Sequence, residues 1–167
     1  VNGVTVTTNA SFNAGANPLV LDGFNDFVDV AAGGIQVNNS GPNQVVINDI
    51  NALNFGVGNS QIGNGTLTIT ANGAITQANR VRQVANAGQT SFTTTLNNSI
   101  TLDINTNRFF GVVMLNTSGS GSATVFNGVN LNMGTSVIGA GVGGTGSLTL
   151  NSTAAVTQDP GTTLTVA

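Results

Sequence analysis

Short runs in which apolar and polar residues alternate dominate the chain. They include Val4-Thr-Val6, Leu19-Val-Leu21, Ile35-Gln-Val37, Val45-Val-Ile47, Leu67-Thr-Ile69, Ile100-Thr-Leu102, Val112-Val-Met-Leu115, Leu148-Thr-Leu150 and Leu164-Thr-Val166. A period of two puts an apolar stripe on one side of an extended chain, which predicts half-buried β-strands. The runs recur about every eight to twelve residues, parted by Asn-Gly, Gly-Asn, Ser-Gly and Gly-Gly pairs that favour turns. Pro18, Pro42 and Pro160 fall between runs, where a missing N–H does not interrupt a ladder.

A longer rhythm overlies the short one. Gly65-Thr-Leu-Thr-Ile-Thr-Ala-Asn-Gly-Ala-Ile-Thr-Gln77 returns as Gly146-Ser-Leu-Thr-Leu-Asn-Ser-Thr-Ala-Ala-Val-Thr-Gln158, 81 positions on. Ser11-Phe12 returns as Ser91-Phe92, Leu19-Val-Leu-Asp22 as Ile100-Thr-Leu-Asp103, Asn25-Asp-Phe27 as Asn107-Arg-Phe109, and Ala52-Leu-Asn-Phe-Gly56 as Asn130-Leu-Asn-Met-Gly134. A sandwich or barrel would share the strand spacing but has no reason to repeat at this interval, whereas a solenoid has. The expected fold is therefore all-β, a parallel β-helix (β-solenoid). Coils of about 20 residues would make about eight in all, with equivalent positions of the two units occupying equivalent sites along one rod. The two units are 1–81 and 82–167, in one continuous solenoid.

Composition sharpens this picture. Charged residues are 5% of the chain, against about 25% in ordinary globular domains, while 40% is hydrophobic. Disorder is thereby excluded, since disordered chains pair low hydrophobicity with high charge. Lys and Glu are absent, which removes strong helix formers, and so are His, Cys, Trp and Tyr. Export by a bacterium suits a cysteine-free chain better than an oxidising animal secretory route does. A net charge of −3 argues against nucleic acid as a partner, and no stretch of about 18 apolar residues could span a membrane as a helix.

The Gly-Ala-Ile-Thr-Gln (73–77) and Ala-Ala-Val-Thr-Gln (154–158) signatures, the Leu-Thr runs before them and the Asn-x-Phe motif between resemble repeats of filamentous-haemagglutinin-type bacterial exoproteins. These are large two-partner-secretion adhesins. The resemblance implies a right-handed β-helical shaft, passage through an outer-membrane partner, and a place on the cell surface or in a biofilm matrix. Their amino-terminal secretion domain is not recognisable in this chain. Both termini lie inside the repeat pattern, as expected of an excerpt from a longer array or of a subunit whose ends pair with neighbouring copies. The partners expected are the chain itself and an unidentified host-cell, surface or polysaccharide receptor.

Little in the sequence offers catalysis. Without His, Cys or Glu there is no nucleophilic triad and no zinc set, so neither catalytic nor cofactor-binding residues are expected. Asp22, Asp26 and Asp29 form the one dense acidic group and are weak calcium candidates; the competing reading is a solvated turn, since the second unit keeps Asp103 but has Arg108 where Asp26 stood. Gly143-Gly-Thr-Gly146 opens like a calcium-binding nonapeptide, but Leu148 stands where the Asp ligand belongs. Thr-x-Thr pieces such as Thr5/Thr7, Thr66/Thr68/Thr70 and Thr93/Thr95 are too irregularly spaced to predict an ice-binding face. Arg80 and Arg82 would leave a strand on the same side, as a solubilising pair or as a contact for an acidic neighbour.

Overall fold

A computed structural model of the protein describes residues 3–27 and 33–167. Among these, every regular element is a strand, and no helix is long and apolar enough to cross a membrane. The strands form three sheets that run the length of a single stack. One sheet carries Thr5–Val6, Leu19–Phe27, Val45–Asp49, Leu67–Ala71, Thr90–Thr94 and Val112–Ser118, and continues through Leu131–Met133, Ser136–Ala140, Val156–Gln158 and Leu164–Val166. A second holds Asn9–Gly15, Gly34–Asn39, Ser60–Ile62 and Val81–Gln83; a third holds Leu53–Phe55, Ile75–Gln77, Ile100–Leu102, Ala123–Asn127 and Leu148–Ser152. Neighbours pair in parallel, one turn of chain apart, as in a β-solenoid.

The register measures the turn. Leu19 pairs with Val45, Val45 with Leu67, Leu67 with Thr90, Thr90 with Val113, Val113 with Met133 and Met133 with Gln158. Six turns thus take the 139 residues from 19 to 158, about 23 per turn. The stack has about six turns, not the eight expected from coils of about 20 residues, because the corners between short strands take more chain than the minimum.

Alternation places the apolar phase inside. Val45, Ile47, Leu67, Ile69, Phe92, Val113 and Leu115 are all fully buried, as are Leu53, Ile75, Ile100, Leu102 and Val125 on the opposing sheet. Each such row covers the one below it, so apolar area is removed from water in layers, at about 25 cal/mol per Å².

The 81-residue repeat has a different meaning from the one expected. Leu67–Ala71 lies in the long sheet, but its counterpart Leu148–Ser152 lies in the five-stranded one; Ile75–Gln77 and Val156–Gln158 exchange sheets the other way. Eighty-one residues at about 23 per turn is about three and a half turns, so matched segments sit on opposite sides of the rod rather than directly above one another. What repeats is a local module of strand, corner and strand. In one copy Asn25 donates to the Leu21 carbonyl at 2.7 Å and accepts from Val4 N–H at 2.9 Å. In the other, Asn107 donates to Leu102 at 3.2 Å and accepts from Val81 N–H at 2.9 Å. The associated phenylalanines meet edge to face in both, Phe12 with Phe27 at 5.4 Å and Phe92 with Phe109 at 5.7 Å.

Candidate functional site

Several inward runs end on a buried polar residue: Ile35-x-Val37-x-Asn39, Val45-x-Ile47-x-Asp49, Val81-x-Gln83, Phe92-x-Thr94, Val113-x-Leu115-x-Thr117 and Ala123-x-Val125-x-Asn127. A chain leaving a strand carries backbone groups that the ladder no longer satisfies, and these side chains satisfy them inside. Asn127 accepts from Phe109 N–H and donates to the Phe109 and Asn130 carbonyls. Thr117 donates to Gly121 at 2.6 Å and accepts from Gly139 N–H. Such bonds join successive turns at the corners and fix their register.

Asp49 is the exception in charge. Its Oδ1 accepts from Asn51 N–H at 3.1 Å and Phe27 N–H at 3.4 Å, while Oδ2 is buried with no hydrogen-bond partner among the described residues. The in-register residue on the next turn is Ala71, which offers no donor; the turn after that has Thr94 in the same column. Burial, with a smaller contribution from the Asp26 carboxylate, raises the Asp49 pKa from the usual 3.8 to about 6, against the lowering effect of the backbone N–H groups.

A carboxyl with a raised native pKa binds its proton more tightly folded than unfolded. Its stabilising contribution is complete below the unfolded value and is lost as pH rises through about 6. The loss is at most about 3 kcal/mol, and less wherever solvent screens the group. Asp49→Asn keeps the Oδ1 acceptor and removes the charge, so thermal unfolding from pH 3 to 8 is expected to show a higher Tm at neutral pH and a weaker loss of Tm as pH rises through about 6. Ala71→Ser supplies the missing donor and is expected to bring the Asp49 pKa down, measured by carboxyl NMR titration.

The calcium candidates are only partly brought together. Asp22 is exposed and lines an open cleft of about 400 Å³ with Phe24, Asn48, Asp49, Thr70 and Asn72. Asp26 is half-buried and accepts from Asn51 Nδ2 at 2.9 Å; Asp29 lies outside the described residues. No group of three His, Cys, Asp or Glu among the described residues is placed to hold a metal ion. Asp49 follows from the inward phase of its strand, Val45-x-Ile47-x-Asp49.

The outer faces carry polar columns. On the five-stranded sheet Thr101, Thr124 and Thr149 stand in register, with Thr76 one residue beyond the Ile75 to Ile100 pair. On the long sheet Thr68 and Ser91 are in register between Val46 and Met114, which interrupts any threonine face there. On the four-stranded sheet Asn13, Asn38, Gln61 and Arg82 follow one another, and Arg82 bridges to Arg108.

These features define the class: a repeat-built parallel β-solenoid whose buried polar side chains serve its own corners. Residues 42–116 match a family model described as repeats of unknown function (DUF5649). That segment begins just before Val45–Asp49, ends within Val112–Ser118, and contains all three arginines. No curated protein matches the chain, and no solved structure does.

Proposed function

We propose that the chain is a non-catalytic structural and adhesive stretch of a secreted bacterial exoprotein, held at the cell surface or in an extracellular matrix, as its likeness to filamentous-haemagglutinin-type repeats implies. The observation that carries this reading is the outer surface. An uncharged threonine column runs from turn to turn, from Thr76 to Thr149, on a scaffold of continuous parallel ladders. A rod of this kind offers many weak contacts at a regular rise, which suits attachment by avidity. Beads coated with the purified chain are expected to be retained under flow on bacterial or host-cell surfaces at least tenfold better than beads bearing an unrelated β-protein of equal charge. Equal retention of the two would defeat the reading.

A second reading is end-to-end assembly. Val4, Val156 and Val166 occupy inward-phase positions on the first and last turns, yet are 40%, 47% and 48% exposed. Another turn stacked there, from further repeats of the same chain or from a second copy, would cover them and pair the open strand edges. Size-exclusion chromatography with electron microscopy tests this; dispersed monomers at high concentration would rule it out.

A further inference from the structure

All three cations of this chain gather on one face. Arg80 and Arg82 flank the fully buried Val81, so alternation sends both to the outer side of the four-stranded sheet. Arg108 is bridged in parallel register to Arg82 on the next turn, about 4.8 Å along the axis. Asn107 fixes that placement from inside through its bond to Val81 N–H, and Arg108 N–H donates to the Val81 carbonyl. Arg80 and Arg82 are half-buried and Arg108 exposed.

Stacking like charges at one coil rise is unfavourable unless an anion joins them. The Nε atoms of Arg80 and Arg82 are buried and without a hydrogen-bond partner among the described residues. Asp103, exposed, is the one acid in the sequence between Arg80 and Arg108. In a chain of net charge −3, concentrating every positive charge at one place leaves a local anion site on an otherwise acidic or neutral surface.

We propose that this face binds a carboxylate-bearing polysaccharide, a run of uronate sugars laid along the solenoid axis. Its carboxylates engage the guanidiniums of Arg82 and Arg108, with Arg80 beside them, and its hydroxyls meet the amides of Gln61, Asn38 and Asn13 in the same column. The planar guanidinium fork matches a carboxylate with two parallel bonds, which selects the acid type. The amide column selects a hydroxyl-rich polymer: nucleic acid would call for cations along the whole row and for aromatic platforms, and this row has neither. The inference rests on the adhesive reading and gives it a ligand class.

Calorimetry on the full chain with oligogalacturonate, galacturonic acid, dextran and dextran sulfate tests it. Oligogalacturonate is expected to bind, the monosaccharide at least tenfold more weakly, and dextran not at all. Affinity should fall as salt rises from about 0.05 to about 0.5 M. Arg82→Gln/Arg108→Gln, with circular dichroism and Tm unchanged, should lose at least tenfold, and Arg82→Lys, which keeps the charge without the fork, several-fold. Should the double variant not fold, Arg108→Gln alone, at an exposed position, carries the same expectation. No heat with oligogalacturonate, equal affinity in the folded arginine variants, or equal binding of dextran sulfate would overturn the proposal. Bead retention that survives the arginine substitutions would leave the adhesive reading standing and this one refuted.

Discussion

Gly111→Ala, the addition of a single methyl group, is expected to destabilise this protein strongly. A Cβ at Gly111 would lie 2.0 Å from the Gly88 carbonyl oxygen and 2.7 Å from its carbon, so the clash is with backbone and no side chain can swing away. Gly65 stands in the same relation to Asn43, its Cβ falling 2.1 Å from the Asn43 carbonyl oxygen. Relief would require the turns to move apart and lengthen ladder bonds on both sides of the corner. Overpacking of this kind costs about 1–3 kcal/mol where side chains can yield, and more where they cannot. With about 2–4 °C per kcal/mol for a chain of this size, Tm should fall by roughly 6 °C or more. An unchanged Tm in differential scanning calorimetry would show that the corners are not held at this spacing.

Asn107→Ala is expected to be nearly as costly for the opposite reason, too few atoms. Asn107 is fully buried; its Oδ1 accepts from Val81 N–H at 2.9 Å and Gln77 Nε2 at 3.0 Å, while its Nδ2 donates to Gln77 Oε1 at 2.8 Å. Truncation leaves the Val81 N–H and the Gln77 amide without their partner, and each buried unsatisfied group costs about 1–3 kcal/mol. The expected loss is about 2–4 kcal/mol by denaturant unfolding. Asn107→Asp separates the roles: it keeps the acceptor for Val81 but cannot donate to Gln77 when ionised, so its deficit should grow as pH rises. A loss within about 0.5 kcal/mol for Asn107→Ala would mean the corner bonds contribute nothing beyond what water supplies.

The alternating runs were sufficient to name β-structure, and the internal repeat to choose a parallel solenoid over a sandwich or barrel. Leu67-Thr-Ile69 and Ile100-Thr-Leu102 are strands with the apolar phase inside, as their period requires. The turn length was also written in the chain, in a feature other than the one that suggested about 20 residues. Gly65, Gly88, Gly111 and Gly134 fall at intervals of 23, equal to the pairing steps from Leu67 to Thr90 to Val113. Close backbone approach leaves no room for a Cβ at Gly65 and Gly111, and Gly88 and Gly134 continue their interval, so glycine spacing reports the turn where apolar spacing does not. The stronger 81-residue repeat misled because strand, corner and strand is a complete local unit, equally at home on either side of the rod.

The candidate sites divide in the same way. Asp49 could be found from strand phase alone, since it extends Val45-x-Ile47 inward. The pairing of Arg82 with Arg108 could not, because their separation of 26 differs from the usual turn and depends on how much chain the corner through Asn107 consumes. By itself, the sequence determined what faces inward and what faces outward, because that depends only on the two-residue period of an extended chain. Only the tertiary structure decided which outward residues stand above one another, because that depends on corner lengths summed over each turn. On this protein the neighbours along the axis, not those along the chain, bring the three arginines into one cluster.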